Sequence, residues 1–130
     1  MAERIDLEVP ATLNALSTVR IVLGGLGARL DFSLDDLEDI YLATDELLRA
    51  ALEADSLDRL SVEVLLDEGV LRFTAGTFRS ARLRADVTLH AEDCLDLCML
   101  LRRTVDDVLL EDEDDVYRIV LVKRRQGGSA

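Results

Sequence analysis

A stripe of apolar residues at helical spacing, which begins just after Ser33, constrains the fold of this 130-residue chain more than any other feature. Its members recur every three or four residues, which is the period of one face of a helix. They are Leu37, Ile40, Tyr41, Thr44, Leu47, Leu48 and Ala51. Ser33 and Asp36 resemble a capping box in which an aspartate replaces the usual glutamate. We therefore predict a helix from Ser33 to about Ala54, which is long for so small a chain.

A strand and a first helix are predicted before this long helix. Apolar residues alternate with acids over residues 4–9, which is the pattern of a half-buried strand. Apolar residues at helical spacing then predict a helix from about Leu13 to Arg29. Three glycines lie inside it, namely Gly24, Gly25 and Gly27. Because they lack the lysine and hydroxyl residue of a P-loop, we interpret them as positions of close packing or an early helix end.

The second half of the chain predicts two hairpins separated by a loop and a third helix. The four strands are expected over residues 62–66, 70–73, 105–110 and 116–122. The first hairpin turns at 67–69, and the second turns at the acidic run 111–115, which we interpret as a solvated tip. Residues 76–88 carry three arginines with little periodicity and are predicted to be a loop with a short extended piece. Residues 93–103 are predicted to form the third helix.

This order of elements predicts an α+β fold, a mainly antiparallel sheet with helices on one face. The length of the chain fits one domain rather than two. We expect that domain to span residues 1–125. Residues 126–130, which end in Gly-Gly-Ser-Ala, are expected to form a disordered tail.

The charge of the chain bears on its partners. Its 27 acidic and 15 basic residues give a formal net charge of -12. Such a field repels phosphates and anionic lipid surfaces and attracts basic proteins, so neither nucleic acid nor a membrane is an expected partner. The first residues lack the apolar segment of a signal peptide, and no apolar run approaches the ~20 residues of a spanning helix. We therefore expect a cytoplasmic protein.

His90, Cys94 and Cys98 follow one another at intervals of four residues, which suggests a metal site as one interpretation. On a straight helix, however, the first and last would lie ~12 Å apart, and no second ligand cluster occurs in the sequence. We favour burial of both cysteines as small hydrophobic side chains, and we expect no metal and no disulfide framework.

Five segments of the sequence carry a resemblance to a known family. They are Ile5–Ala11, Val19–Arg20, Leu34–Ile40, Asp45–Glu46 and Val105–Val108, and the resemblance that they carry extends along nearly the whole chain. In this order they resemble the anti-sigma-factor serine kinases of bacterial partner-switching systems, which belong to the GHKL (Bergerat-fold) ATPase superfamily. The resemblance implies a GHKL-like two-layer sandwich, protein serine kinase activity, and ATP with Mg²⁺ as cofactors.

The long helix departs from this family at a residue needed for catalysis. The family places a glutamate and, four residues later, an asparagine on one face of this helix. The glutamate positions or activates the attacking group, and the asparagine holds Mg²⁺ against the phosphates. Here Glu46 stands at the first position, but Ala50 stands at the second and has no metal ligand to offer.

Two further nucleotide-binding motifs of the family are also missing. Thr77, Arg79 and Ala81 stand where the resemblance implies the Asp-x-Gly-x-Gly box that binds adenine in a strand. Leu95, Asp96 and Leu97 stand where it implies a glycine-rich phosphate box, and an acid there would repel phosphate. We therefore expect neither ATP nor Mg²⁺ as a cofactor, and Glu46 is the only remnant of the catalytic set.

Arg20 matches a family position associated with partner contact, although an ordinary surface arginine is an equal alternative. The leading hypothesis is a non-catalytic, anti-sigma-like regulatory protein that binds a sigma factor or an antagonist protein (an anti-anti-sigma protein) as a homodimer. A second hypothesis is a serine kinase with an unconventional ATP site. A third is an interaction or sensory module unrelated to sigma factors.

Overall fold

The computed structural model describes residues 3–89 and 96–125. In these residues, five strands form one antiparallel sheet, and four helices pack with it. The strands are β1 (Glu3–Pro10), β2 (Arg59–Asp67), β3 (Val70–Phe78), β4 (Asp107–Glu113) and β5 (Val116–Arg124). The helices are α1 (Leu13–Arg29), α2 (Leu34–Ala54), α3 (Ala81–Thr88) and α4 (Leu97–Thr104). The predicted α+β class is confirmed.

The strands lie in the order β1-β2-β3-β5-β4, so β1 and β4 form the two edges of the sheet. Each neighbouring pair is antiparallel, and two of these pairs, β2–β3 and β4–β5, are joined directly as hairpins. The hairpin between β2 and β3 turns at Glu68 and Gly69, whose φ angles of 42° and 79° are both in the left-handed region. Two consecutive residues of that kind match the twist of the flanking strands, which explains the tight turn.

The core lies between the helices and one face of the sheet, as the sequence predicts. Apolar residues of the central strands are buried on that face, among them Val62, Val64, Phe73, Ile119 and Leu121. They join one apolar cluster with Leu23 of α1 and Leu47 of α2, both with 0% exposure. Burying one such leucine contributes roughly 1.5–3 kcal/mol. The opposite face carries charged side chains, including the ion pair between Arg72 and Glu111 at 2.9 Å.

Helix α1 ends in a Schellman motif, which sets the sharp turn into α2. The amide of Phe32 donates to the carbonyl of Gly27 at 3.2 Å, and that of Asp31 donates to Ala28 at 3.3 Å. Asp31 has a φ of 57°, the left-handed conformation that this motif needs after the helix. Ser33 then caps α2 by accepting from the amide of Asp36 at 3.0 Å, as its sequence predicts.

The predicted loop over residues 76–88 is wrong for most of that range, because α3 occupies Ala81–Thr88. The expected extended piece is the end of β3, which continues to Phe78. Helix α3 begins where the hydroxyl of Ser80 accepts from the amide of Leu83 at 3.1 Å. Only Leu83 and Val87 bury their side chains. Two apolar residues one turn apart are too few to give a recognisable helical period, so the pattern is weak in the sequence.

The acidic turn predicted at 111–115 is shorter than expected, since residues 111–113 belong to β4. Their charges are compatible with a strand because arginines of β3 and α3 pair with two of them. Glu111 pairs with Arg72, and Asp112 pairs with Arg84 through two hydrogen bonds of 2.5 and 3.1 Å. The predicted third helix corresponds to α4, which begins at Leu97 within the described part of the chain. Residues 93–95, where that helix is predicted to begin, and the predicted tail 126–130 lie outside the described residues.

A buried lysine ties the helices to the end of the sheet. Lys123 of β5 is 5% exposed, and its ammonium donates to the carbonyl of Thr104 at 2.8 Å. The same nitrogen lies 3.2 Å from a carboxylate oxygen of Asp39 and 3.8 Å from one of Asp36. These contacts join the start of α2 to the end of α4, the two helices that form the candidate site.

Candidate functional site

Helix α2 presents one row of side chains toward the start of α4. Arg49, Ala50 and Glu53 follow Glu46 after three, four and seven residues, so all four project from the same side of the helix. Glu46 and Ala50 are half-buried, which indicates a neighbouring surface over that row. The sequence predicts Glu46 and Ala50 on one face, and the structure agrees.

The start of α4 faces this row. Asp96 caps α4 by accepting from the amide of Met99 at 2.9 Å, and this fixes its carboxylate at the helix start. Asp96, Leu97 and Leu100 line a cavity of about 270 Å³ together with the row on α2. The structure therefore brings Glu46, Ala50, Asp96 and Leu97 together, as the family resemblance implies. Leu95, the third residue of the expected phosphate box, lies outside the described residues.

The residues around this cavity, which we call the α2–α4 cavity, do not fit a nucleotide with its metal. Glu46, Glu53 and Asp96 contribute three carboxylates, which repel phosphate. Among the lining residues that the structure describes, the cation is Arg49, which is already paired with Asp45 at 2.7 Å. Ala50 offers no side-chain oxygen, and no group of three or more His, Cys, Asp or Glu in residues 3–89 and 96–125 is placed to hold a metal ion.

The residues expected to replace the adenine box are not part of this cavity. Thr77 lies near the end of β3 and lines a different depression, of about 440 Å³, with Arg4, Ser61 and Arg118. The amide of Arg79 donates to the carboxylate of Asp55 at 2.8 Å in the connection that follows the strand. Ala81 is the first residue of α3. Of these three residues, only Thr77 lies in a strand, because β3 ends at Phe78.

A polar cluster that the sequence analysis missed holds α3 against the sheet. Arg84 binds Asp112 with two hydrogen bonds and lies 5.4 Å from the ring centroid of Tyr117. The hydroxyl of Tyr117 donates to the carbonyl of Ser80 at 2.5 Å. The hydrogen bonds from Arg84 lower the pKa of Asp112, whereas burial and the charge of Asp55 raise the pKa of Tyr117. Residues 28 positions apart give no local signal in the sequence.

Arg20, the predicted partner-binding residue, lies on the solvent side of α1 next to α2. Its guanidinium stacks over the ring of Tyr41 at 4.6 Å from the centroid. Arg20, Tyr41 and Asp45 border a shallow cleft between the two helices. The sequence analysis missed the contact between Tyr41 and Arg20, because the place of Tyr41 in the apolar stripe of α2 predicts a core residue.

Of the three residues considered as metal ligands, the structure describes Cys98. Cys98 is buried with 0% exposure on α4, which agrees with the prediction of a small hydrophobic side chain. His90 and Cys94 lie outside the described residues. None of the helices in the described ranges is long and apolar enough to cross a membrane.

Comparisons with known proteins point to one family. No family model matches the chain. A serine-protein kinase RsbW from Bacillus velezensis is 30% identical over 66 residues, which cover 51% of this chain and 41% of that kinase. The RsbW of Bacillus thuringiensis is 32% identical over 44 residues, or 34% of this chain and 28% of the kinase. The chain thus spans less than half the length of these relatives.

A solved structure establishes the fold. The crystal structure of the RsbU and RsbW domains of Rv1364c from Mycobacterium tuberculosis matches 94% of this chain and 32% of its own, with a TM-score of 0.68 and 20% identity. The chain is therefore an α+β domain with the RsbW-like fold. The chain is thus similar in sequence to RsbW serine-protein kinases over about half of its length, and similar in fold to this solved structure.

Proposed function

We propose that this chain is a non-catalytic, anti-sigma-like regulator that acts by binding another protein. The observation that carries the proposal is the α2–α4 cavity. Glu46 is retained there, but Ala50 replaces the metal-binding amide, and Glu53 and Asp96 add negative charge where phosphates would lie. Electrostatic repulsion from three carboxylates works against ATP binding, which supports protein binding rather than phosphate transfer as the activity of this chain.

The proposed partner is a sigma factor or an antagonist of the anti-anti-sigma type, and the regulator binds it as a homodimer in the cytoplasm. The resemblance to anti-sigma-factor serine kinases supports this class of partner. The net charge of -12 favours encounter with a basic protein, and sigma factors must be basic enough to meet DNA. Arg20 is exposed on α1 and is available for such a contact. The mass measured by sedimentation equilibrium tests the dimer.

A nucleotide titration separates the binding module from an enzyme. We expect no binding heat and no thermal stabilisation when ATP and Mg²⁺ are added to the chain at millimolar concentration. The serine-protein kinase RsbW of Bacillus velezensis, measured in the same buffer, is the positive control. Saturable binding of ATP to this chain in the micromolar range would remove the non-catalytic part of the proposal.

A kinase with an unconventional ATP site is the second candidate, and one observation favours it. The carboxylate of Glu46 lies at the α2–α4 cavity on the face where the family places its catalytic glutamate. If the chain is such a kinase, Glu46→Gln abolishes phosphate transfer to a co-purified antagonist, whereas the neighbouring Glu53→Gln retains it. We expect no transfer from the unmodified chain.

The partner itself is tested by direct binding. Purified sigma factors and antagonist-like proteins of the source organism are titrated one at a time against the full chain by calorimetry. We expect one of them to bind, and Arg20→Ala to weaken that complex about 30-fold or more, as for an arginine at the centre of an interface. Failure of every candidate to bind would favour an interaction or sensory module unrelated to sigma factors.

A further inference from the structure

Arg20 differs from most arginines of this protein in how it is held. Arg4, Arg29, Arg49 and Arg59 are among the many that form ion pairs with carboxylates. Within the described residues, Arg20 forms no ion pair, and its contact is the face of Tyr41 at 4.6 Å. Stacking on an aromatic ring orients a guanidinium while leaving its five donors free to bind.

The ring of Tyr41 is itself held in a notch on α1. Gly24 forms that notch, because a Cβ atom built there would lie 2.4 Å from the hydroxyl oxygen of Tyr41 and 3.5 Å from its ring carbon Cζ. The first distance is a clash and the second is an ordinary contact. Any side chain at position 24 therefore displaces the hydroxyl, and with it the platform under Arg20. A Cβ atom built at Gly25, the next residue, would have no neighbour within 4 Å.

The surface beside this stack is open and partly apolar. Ile21, the next residue of α1, is 76% exposed, which is unusual for a large aliphatic side chain. A fixed cation beside an exposed isoleucine provides both a polar and an apolar contact for a protein. Because the guanidinium is already ordered, Arg20 loses little rotamer freedom when a partner binds, and the entropy cost of forming the complex is lower.

We propose that Tyr41 is a positioning residue that holds the guanidinium of Arg20 in the orientation in which it contacts a protein partner. Gly24 is the residue that makes this arrangement sterically possible. The inference rests on the proposed function, since it assigns a residue to the same partner surface. It differs from that proposal in requiring that Tyr41 acts through Arg20 rather than by touching the partner.

The stack is tested first in the isolated chain by NMR of ¹⁵N-labelled arginine, with Arg20→Lys used to assign the Nε–Hε signal. We expect ring-current shifts at Arg20 in the unmodified protein and their loss in Tyr41→Ala. Gly24→Ala should also abolish them, whereas the matched control Gly25→Ala should not. Unchanged shifts in Tyr41→Ala, or their absence in the unmodified protein, would overturn the inference.

A rescue experiment separates the notch from a general effect on α1. Tyr41→Phe keeps the ring and removes only the oxygen that meets the new Cβ, so it should retain the stack. Combined with Gly24→Ala, it leaves the ordinary 3.5 Å approach to the ring carbon. The double variant should therefore recover the shifts that Gly24→Ala loses. If it does not, Gly24 is required for another reason and the steric part of the inference is wrong.

The role in binding is tested with the sigma factor or antagonist that binds in the titrations above. Tyr41→Ala should weaken that complex about twofold to tenfold, the cost of ordering one flexible side chain. In an Arg20→Ala background, Tyr41→Ala should have no further effect. A further loss there would show direct contact by Tyr41 and contradict the positioning role.

The two proposals fail in different ways. If a partner binds but Tyr41→Ala leaves its affinity unchanged, the positioning role fails and the proposed function stands. If none of the purified proteins binds the unmodified chain, the proposed function fails, and the partner role of Tyr41 fails with it even where NMR shows the stack.

Discussion

At the scale of single residues, the three glycines of α1 illustrate how differently one residue type can be used. A Cβ at Gly24 would meet the hydroxyl of Tyr41, and one at Gly27 would lie 2.1 Å from a methyl carbon of Leu37. These two positions let α1 approach α2 closely. Gly25 faces open space and only raises the conformational entropy lost on folding.

Gly25→Ala should therefore stabilise the protein. The new methyl group meets no atom, and alanine is favoured over glycine inside a helix by about 0.5–1 kcal/mol. Urea unfolding followed by circular dichroism measures the gain. Gly27→Ala is the matched comparison. There Leu37 must shift to make room for the methyl group, and the cost of that shift offsets the helical preference of alanine. Equal stabilisation by both substitutions would contradict this account of the close approach.

At the scale of elements, the Arg84–Asp112 pair joins α3 to the edge strand β4, and its contribution should depend on pH. Arg84 lowers the pKa of Asp112 in the folded protein. The pair therefore stabilises the fold above the unfolded pKa of about 4, and this contribution is lost as the pH falls through the folded pKa.

We expect Asp112→Asn to be less stable than the unmodified chain at pH 7 and the difference to shrink below about pH 4. Urea midpoints measured at several pH values give that difference. Arg84→Gln should behave in the same way, and the double variant should add nothing. Arg82→Gln, on the same helix but with a more exposed pairing at 3.8 Å, serves as the control. A difference that persists undiminished at pH 2 would contradict the assigned cause.

The elements also show which parts of the fold a sequence encodes locally. The bounds of α1 and α2 follow from helical periodicity, because each helix buries a long row of residues at that period. Helix α3 buries only Leu83 and Val87 and is held by long-range contacts to Asp112 and Tyr117. Such contacts depend on the tertiary fold and leave no periodic pattern.

The candidate site, like the fold, was predictable from the sequence only where helical spacing places its residues. Helical spacing alone places Glu46 and Ala50 on one face of α2, and the spacing of Glu53 from Glu46 would have added the third carboxylate. The positions of Thr77 and Arg79 depend on where β3 ends and α3 begins, so the sequence could not place them. The platform under Arg20 depends on how α1 crosses α2, which no local pattern specifies.

At the scale of the whole molecule, the charge of -12 should act on the rate of encounter. If a basic partner binds, its association rate should fall by about tenfold or more between ~10 mM and ~150 mM salt, because screening shortens the reach of the field. Stopped-flow fluorescence measures the rate. Arg20→Ala should mainly raise the dissociation rate and leave this salt dependence nearly unchanged. An association rate independent of salt would exclude steering by the acidic field.

The acidic residues of β4 have a consequence for the chain in crowded solution. This strand forms an edge of the sheet, where backbone groups can pair with another chain. Leu109 and Leu110 lie between acids on both sides, so a second copy arriving at this edge would have to bury like charges. The edge is therefore protected against intermolecular strand pairing and the aggregation that such pairing begins.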